Sequence, residues 1–348
     1  MKKSRVAFSK IKTLKTPLFF IFLSVSVFFP LFLLSCATGR AAQAEEYFSM
    51  GMAYYDLGKF AEAERWLNRA RMADRTMTAS DYNLGRIAFE TGRYEEASRN
   101  FERILTKDPD NVMALRGAAY SRIKNGDLDR AERHYNRVLT LVPESADDGF
   151  NYALVLYSIK KYEASEEVLY RYPFALEENA SSILLLARNQ RALNRTEAVD
   201  TYAKWTTVRA GAADPQGLYE YAQVLENEGF YARALEELRN ASSSLIRDTE
   251  TLKRSTLLFE VARLLLIADP ENSEGINGLN AAIAEGFSDT ALMETLLRDE
   301  RITQTNRDGI RMILNGMLNR DALAAKAEAE TEEPELEDEP ESEYNDIY

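Results

Sequence analysis

The sequence predicts an all-α fold: a helix-turn-helix solenoid of about five to six stacked repeats, the middle ones degenerate, closed by a C-terminal helical cap. Three observations predict this fold class. A 34-residue period runs through residues 44–145, and a period of that length is typical of stacked repeats rather than of a single globular core. Each period has a glycine near its centre. On either side of that glycine, apolar residues recur with the spacing of an amphipathic helix.

The repeated positions of the first three units have clear physical roles. Small residues at Gly51, Gly85 and Ala119, spaced 34 apart, let two helices cross closely. A central glycine is expected because the turn needs a backbone at positive φ, which a residue without Cβ adopts freely. The turn glycines are Gly58, Gly92 and Gly126. The second helix has small residues at Ala63, Ala97 and Ala131 and bulky ones at Leu67, Phe101 and Tyr135. Pro109 and Pro143 close the second and third units.

These positions resemble the tetratricopeptide repeat, whose pattern is Trp-x2-Leu-Gly-x2-Tyr, then Ala-x3-Phe, then Pro. In the second unit, Leu84-Gly85, Ala97 and Phe101 match it. The resemblance covers roughly residues 44–242 and implies a tetratricopeptide-type solenoid whose first helices line a concave surface. It is specific for the fold and says little about the partner.

The later units match the pattern less well. Residues 44–145 hold three well-formed units, and residues 146–250 are predicted to hold degenerate and further units. Lys160 stands where the fourth unit should have its turn glycine, and the fifth unit is predicted to have a turn one residue short. Residues 215–242 match well but out of strict phase. Residues 251–320 lose the motif while keeping helical apolar patterns, so we expect capping helices that cover the last repeat.

The N-terminal residues 1–35 are predicted to be a signal peptide and not part of the fold. Six basic residues precede an uncharged apolar run from Leu18 to Leu34. The run ends in Leu-Leu-Ser-Cys, which resembles a bacterial lipobox and implies that Cys36 is lipidated, for instance with palmitate, and becomes the mature N-terminus. Residues 36–43 are then expected to be a linker. An uncleaved anchor is the alternative, because Leu34 departs from the usual lipobox and about 18 apolar residues can span a bilayer.

The cysteine content supports the lipid anchor. Cys36 is the only cysteine in the chain, so no disulfide is possible. The resemblance to lipoproteins implies a lipid-anchored protein of the bacterial cell envelope that faces the periplasm, with surface exposure left open. No acidic residue follows in Ala37-Thr38-Gly39, which favours the outer over the inner membrane.

The chain is acidic, with a formal net charge of −13. Residues 321–348 are predicted to form an acidic disordered tail, because the segment is rich in Asp and Glu and has too few apolar residues to order itself. The tail either keeps the protein soluble or attracts a basic partner. The acidity also argues against a nucleic-acid partner, which requires a basic footprint.

Few residues could support catalysis or bind a metal. His134 is the only histidine and is predicted to face solvent on a second helix, so zinc sites and histidine-activated nucleophiles are not expected. No phosphate-binding glycine motif occurs. An enzyme would need a pair of carboxylates converging in a cleft, and nothing in the sequence groups them so. We therefore expect no enzymatic activity, no cofactor and no metal.

The family resemblance places the partner-binding surface on the first helices. Motif phase predicts an aromatic groove with a basic middle, and such residues commonly anchor interfaces. The alternative is that the rings only fill space between neighbouring first helices. The predicted groove residues are Phe48, Met52 and Tyr55 in the first unit, Tyr82, Asn83, Arg86 and Phe89 in the second, Arg116, Tyr120 and Lys124 in the third, and Phe150, Asn151, Leu154 and Tyr157 in the fourth.

Together these features predict a membrane-anchored scaffold that binds other envelope proteins or peptides. An accessory factor of outer-membrane assembly, secretion or cell-wall synthesis is the more specific alternative, and a self-associating architectural protein is another. The groove does not resemble the carboxylate clamp of chaperone adaptors, because Phe48, Met52, Met113 and Gly117 stand at clamp positions and only Asn83 matches. An extended or helical apolar peptide is the expected ligand.

Overall fold

The computed structural model describes residues 39–208, 214–271 and 273–331. Every regular element within these ranges is a helix, which confirms the all-α prediction. The chain divides into two compact units, Met1–Tyr172 and Pro173–Tyr348.

The first unit consists of helical hairpins, in which each odd-numbered helix pairs with the helix that follows it. Its helices are α1 (39–56), α2 (Phe60–Ala73), α3 (Thr78–Glu90), α4 (Tyr94–Lys107), α5 (Val112–Lys124), α6 (Leu128–Leu141), α7 (Ala146–Ser158) and α8 (Tyr162–Leu169). Each even-numbered helix up to α6 also packs on the first helix of the next hairpin. Stacking of this kind buries an apolar face that a single hairpin would leave exposed.

The second unit continues with two hairpins and then with helices that lack the motif. Its helices are α9 (Ala175–Glu178), α10 (Ala180–Ala192), α11 (Ala198–Val208), α12 (Pro215–Asn227), α13 (Tyr231–Ser244), α14 (Arg254–Ala268), α15 (Glu274–Ala284), α16 (Thr290–Arg298) and α17 (Gln304–Thr331). Helices α14 to α17 share an apolar cluster that includes Phe259, Leu279, Met293 and Ile310. Leu257 of α14 packs in the cluster of the preceding hairpins, so α14 joins the two clusters.

A left-handed residue ends the first helix of each motif-bearing hairpin. The amide of the next residue donates to the carbonyl five residues back, as in Lys59 N to Tyr54 O at 2.9 Å, which is the hydrogen bond of a Schellman cap. Because the cap reverses the chain within three residues, it sets where each second helix begins. The left-handed residues are Gly58, Gly92, Gly126, Lys160, Asn194 and Gly229.

The fifth unit keeps the 34-residue period, so the expectation of a turn one residue short is wrong. Asn194 adopts φ 53°, 34 residues after Lys160 at φ 61°. Asparagine tolerates the left-handed region because its short polar side chain costs little there. Arg195 N donates to Gln190 O at 2.9 Å, which completes the same cap. A search for the turn glycine alone therefore misplaces this turn.

Two segments that the sequence predicts to be irregular are partly helical. Helix α1 begins at residue 39, inside the predicted linker 36–43. Helix α17 continues to Thr331, inside the predicted tail 321–348. Residues 40–43 are Arg, two Ala and Gln, and residues 321–331 are rich in Ala and Glu. These residue types have high helix propensity, which favours a longer helix in each case.

The remaining N- and C-terminal predictions fall outside the described ranges. Residues 1–38 include the predicted signal peptide and Cys36, and residues 332–348 include most of the acidic tail. Within the ranges that the structure describes, no helix combines the length and apolar character needed to cross a membrane.

Phe101 of α4 packs closely against two glycines of the first unit. A Cβ placed on Gly85 of α3 would lie 2.8 Å from the ring, and one placed on Gly117 of α5 would lie 2.7 Å from it. Real side chains do not approach so closely, so only glycine lets both helices contact the ring. The ring is 3% exposed and meets Tyr82 edge-on, with the ring centroids 5.6 Å apart. Phe101 therefore sets the spacing of α3 and α5.

Similar close contacts occur elsewhere in the repeats. A Cβ on Gly51 would lie 2.7 Å from Leu67, and one on Gly217 in the second unit would lie 2.6 Å from Trp205. Ala97, the predicted small residue on the second helix, is fully buried. The small positions that the sequence singles out are thus places where helices approach at van der Waals distance.

We expect Gly117→Ala to destabilise the first unit, although alanine is the better helix former. Overpacking typically costs about 1–3 kcal/mol, and this outweighs a propensity gain of about 1 kcal/mol or less. Denaturant unfolding followed by circular dichroism measures the change in the free energy of unfolding.

Phe101→Leu provides the matching background, because a smaller side chain leaves room for the added methyl group. In that background, Gly117→Ala should lower the free energy of unfolding by less. A double-mutant cycle measures the coupling between positions 101 and 117. Gly316→Ala is the control, since nothing lies within 4 Å of its Cβ position. Equal losses in the two backgrounds would contradict the role assigned to Phe101.

The left-handed turn gives a reciprocal prediction. Lys160→Gly should raise the free energy of unfolding by about 1 kcal/mol, because a side chain at positive φ costs roughly 1–2 kcal/mol. Gly126→Lys at the equivalent turn should lower it by a similar amount. Thermal unfolding of the two variants checks both signs, and the prediction fails if the two substitutions shift stability in the same direction.

Candidate interaction surface

Four of the predicted groove residues line one depression on the first helices of the first unit. The depression has a volume of about 430 Å³, and we call it the α5 depression because half of its lining residues come from that helix. Tyr82, Arg116, Tyr120 and Asn151 are the predicted residues that it brings together. The complete lining is Tyr82 of α3, Met113, Arg116, Gly117 and Tyr120 of α5, Tyr135 of α6, and Asp148 and Asn151 of α7.

Helical periodicity explains why these side chains converge. Met113, Arg116 and Tyr120 are three and four residues apart, so they share one face of α5. Asp148 and Asn151 are three residues apart on α7 and share a face in the same way. Gly117 contributes only backbone to the lining, because its Cβ position would meet the Phe101 ring of α4 at 2.7 Å.

Arg116 and Asp148 form a two-point ion pair across the depression. The Arg116 Nε donates to Asp148 Oδ1 at 2.9 Å, and its Nη2 donates to Oδ2 at 2.5 Å. The hydrogen bond to Asp148 raises the pKa of Arg116. The Asp148 side chain is 5% exposed and that of Arg116 is 38% exposed. The pair therefore fixes α7 against α5 and neutralises the charge predicted for the middle of the groove.

Tyr120 presents an aromatic surface at the edge of the depression. Its ring is 45% exposed and stacks on Phe89 with centroids 4.9 Å apart. Phe89 in turn contacts Tyr94, with centroids 5.3 Å apart. The Lys124 Nζ lies 5.6 Å from the Tyr120 ring centroid. No ion pair joins Lys124 to another residue in the described part of the chain, so its charge is available to a ligand.

A second group of predicted residues is used within the fold instead. The Arg86 Nη2 donates to the Tyr55 hydroxyl at 2.7 Å, and the Arg86 guanidinium lies over the Tyr55 ring at 4.8 Å. The Tyr55 hydroxyl donates to Glu90, and burial together with this hydrogen bond raises the pKa of Tyr55. Asn83 is buried and donates to the Ala79 carbonyl at 2.9 Å. The contacts of Tyr55 join α1 to α3, and the Asn83 bond lies within α3.

The other predicted residues lie outside the α5 depression. Phe48 packs against the apolar cluster that contains Leu67 and Ile87, as the space-filling interpretation holds. Tyr157 contacts Tyr162, with ring centroids 5.5 Å apart. Met52 and Phe150 are half-buried, and Leu154 is exposed.

Motif phase alone misses Gly117, Tyr135 and Asp148 as parts of the site. Tyr135 comes from a second helix and is buried, which raises its pKa to about 12, so its phenol stays protonated at neutral pH. Gly117 lines the site with backbone alone. Asp148 is buried and contributes by holding Arg116. Met113 is 52% exposed, and an exposed methionine beside a predicted aromatic groove is a signal that could have found it.

Asp148 follows Arg116 by 32 residues, and this spacing recurs. In the second unit, Arg188 Nε donates to Glu220 Oε2 at 2.7 Å, also across 32 residues. Arg191 Nη2 donates to the Gln223 side chain at 2.6 Å with the same separation. Polar pairs with this spacing therefore join neighbouring first helices in both units, and the spacing could have predicted the partner of Arg116.

His134 is less exposed to solvent than the sequence predicts. It is half-buried, and the burial lowers its pKa. Its charged surroundings include Arg122, which is 2% exposed and donates to Glu95 and Glu102 at 2.7 Å each. Glu95 therefore stabilises a buried guanidinium. Among the residues that the structure describes, no group of three or more His, Cys, Asp or Glu could hold a metal ion.

A family model decides what these repeats are. The tetratricopeptide repeat model matches residues 48–112, 82–146 and 117–180. Residues 48–180 of the chain are therefore tetratricopeptide repeats. This confirms the resemblance and the repeat-type fold that the sequence predicts.

Solved structures that the chain resembles are distant in sequence. A tetratricopeptide repeat protein from Parabacteroides merdae is 19% identical, with a TM-score of 0.51 over 73% of this chain and 98% of its own. PilF of Pseudomonas aeruginosa is 17% identical, with a TM-score of 0.48 over 63% and 91%. YrrB, described as having an unusual peptide-binding site, is 16% identical, with a TM-score of 0.46 over 51% and 92%. Identities this low concern the fold alone, and the comparison with curated proteins finds no match.

The ion pair of the α5 depression gives a stability prediction. Arg116→Ala should destabilise the first unit by about 1–3 kcal/mol, because it leaves the buried Asp148 carboxylate without its donor. The double variant Arg116→Met with Asp148→Leu is the control and should lose less, since it removes the buried charge as well. Urea unfolding compares the two. A smaller loss for the single variant than for the double would contradict the assignment.

Proposed function

We propose that the protein is a non-catalytic scaffold that binds a peptide segment of another protein across the first helices of its first unit. The observation that carries this proposal is the pair of large apolar side chains, Met113 and Tyr120, exposed at the rim of the α5 depression. Exposed apolar groups gathered around a concave site are typical of interaction surfaces. The tetratricopeptide fold is typically an interaction scaffold, and its members bind peptides and proteins.

The distance between neighbouring helices suits a ligand peptide in an extended conformation. Packed helices lie about 8–10 Å apart, and one extended residue advances about 3.3 Å, so roughly three residues of ligand span the step from α3 to α5. The depression can then accept one large side chain per bound segment. Asn151 on α7 offers an amide group at the rim, where it could fix the direction of the ligand backbone.

The charged side chains that line the depression also favour a binding role over a catalytic one. Asp148 is the carboxylate that lines the depression, and Arg116 holds both of its oxygens. A general base needs a carboxylate free to accept a proton from substrate, and the Arg116 guanidinium prevents that here.

The test of this surface is the double variant Met113→Ala with Tyr120→Ala. Both side chains are exposed, so their loss should leave the helix content unchanged. Interface hot spots cost about 2 kcal/mol or more each, so partner affinity should fall several hundredfold. Quantitative capture of crosslinked partners by the full-length protein measures the loss.

The control replaces Arg99 and Arg133 by alanine. Both are exposed on second helices, and the change should leave capture intact. Glu95 is unsuitable as a control because it pairs with the buried Arg122, and Arg86 is unsuitable in the test because it holds Tyr55. Normal capture by the test variant together with loss in the control would place binding on the second helices.

We also propose that the scaffold is tethered to the cell envelope by a lipid on Cys36, with the outer membrane favoured and the repeats facing the periplasm. The support is the sequence of residues 1–36: a basic start, an uncharged apolar run and one cysteine at its end. An accessory role in outer-membrane assembly, secretion or cell-wall synthesis is the more specific form of this proposal.

Cys36→Ala should abolish incorporation of labelled fatty acid and leave a precursor that retains residues 1–35. Acyl chains contribute about 0.8 kcal/mol per buried CH₂, so the acylated protein should stay with the membrane fraction. Metabolic labelling and intact mass measure both effects. Unmodified protein that begins far downstream of Cys36 would rule out the lipid anchor.

A further inference from the structure

The α5 depression combines features that specify the chemistry of its ligand. The Tyr82 and Tyr120 side chains form aromatic walls, and Met113 lies at the rim. Lys124 adds a positive charge that no acidic residue of the described ranges neutralises. A ligand that places an aromatic side chain in the depression and a carboxylate on Lys124 would satisfy both features.

The chain itself contains a segment with this chemistry. Residues 332–348 hold nine acidic residues and no basic one, and they end in Tyr-Asn-Asp-Ile-Tyr. Tyr344 and Tyr348 each lie two residues from Asp346. In an extended chain, side chains two residues apart lie on the same side, about 6.6–7 Å apart. The Lys124 Nζ lies 5.6 Å from the Tyr120 ring centroid, so a carboxylate two residues from a tyrosine packed beside Tyr120 is within reach of Lys124.

We propose that residues 332–348 of a second copy of this chain bind in the α5 depression, with a tyrosine between Tyr82 and Tyr120 and Asp346 on Lys124. The proposal rests on the proposed function of this surface and names a ligand for it. Seventeen extended residues reach about 55 Å, which is enough to connect two molecules. Since the depression and the segment are different surfaces, the contact is heterologous and joins copies head to tail.

The first experiment measures recognition of the segment. The probe is a synthetic peptide of residues 332–348 with an N-terminal fluorophore, and the receptor is the protein lacking those residues, purified in detergent. Fluorescence anisotropy should show saturable binding that weakens as salt increases, because ionic attraction between the acidic peptide and Lys124 is screened. Absence of saturable binding would overturn the proposal.

Substitutions then test the two contacts. Lys124→Glu in the receptor should weaken peptide binding at least roughly tenfold, because it places like charges together. Tyr120→Ala should weaken it as well. Lys59→Glu makes the same charge change at an exposed position in the α1–α2 turn and should leave the affinity unchanged. In the peptide, Asp346→Asn and the joint change of Tyr344 and Tyr348 to alanine should each reduce affinity. Equal binding by Lys124→Glu and Lys59→Glu receptors would overturn the assignment.

The second experiment identifies the source of the segment. Sedimentation of the full-length protein in detergent should show association that increases with concentration and disappears both on deletion of 332–348 and in the Lys124→Glu variant. A monomeric full-length protein whose depression rejects the peptide, while the deleted form accepts it, would show that each chain's own segment occupies the site and would overturn the second-copy assignment. If the peptide fails to bind but partner capture still requires Met113 and Tyr120, this inference fails and the proposed function stands.

Discussion

The placement of one aromatic ring between two glycines controls the geometry of the first unit. Phe101 contacts the backbones of α3 and α5 at Gly85 and Gly117, where no side chain could fit. Because both first helices contact the same ring, the position of that ring limits how closely each helix can approach α4. Gly117 also lines the α5 depression. One residue therefore takes part both in the packing of the repeat and in the concave site.

An ion pair determines the charge at the centre of the α5 depression. Arg116 and Asp148 join α5 to α7 and cancel each other's charge, so the centre of the depression is polar but neutral. The available charge lies instead at the edge, on Lys124 beside the exposed ring of Tyr120. A site with aromatic walls and a peripheral cation favours a ligand that contributes apolar surface in the centre and a carboxylate outside it.

The sequence predicts the fold class, the hairpin positions and part of the site, because period and helix phase are local properties. Tyr82, Arg116, Tyr120 and Asn151 share the depression as motif phase requires. Arg86 and Asn83 have the same phase but bond to Tyr55 and Ala79 and do not line the depression. The contact between Arg86 and Tyr55 of α1 cannot be derived from phase. Asn194 shows a different limit: a residue other than glycine can adopt the left-handed turn when its own side chain tolerates it.

Site-specific photo-crosslinking in living cells tests most directly whether the first-helix face of the first unit is the binding surface. A photoreactive phenylalanine replaces Met113 at the depression or, as the control, Met72 of α2, since both methionines are more than half exposed. The account predicts that residue 113 forms discrete adducts with a partner and that residue 72 does not. Adducts from residue 72 and none from residue 113 would contradict it.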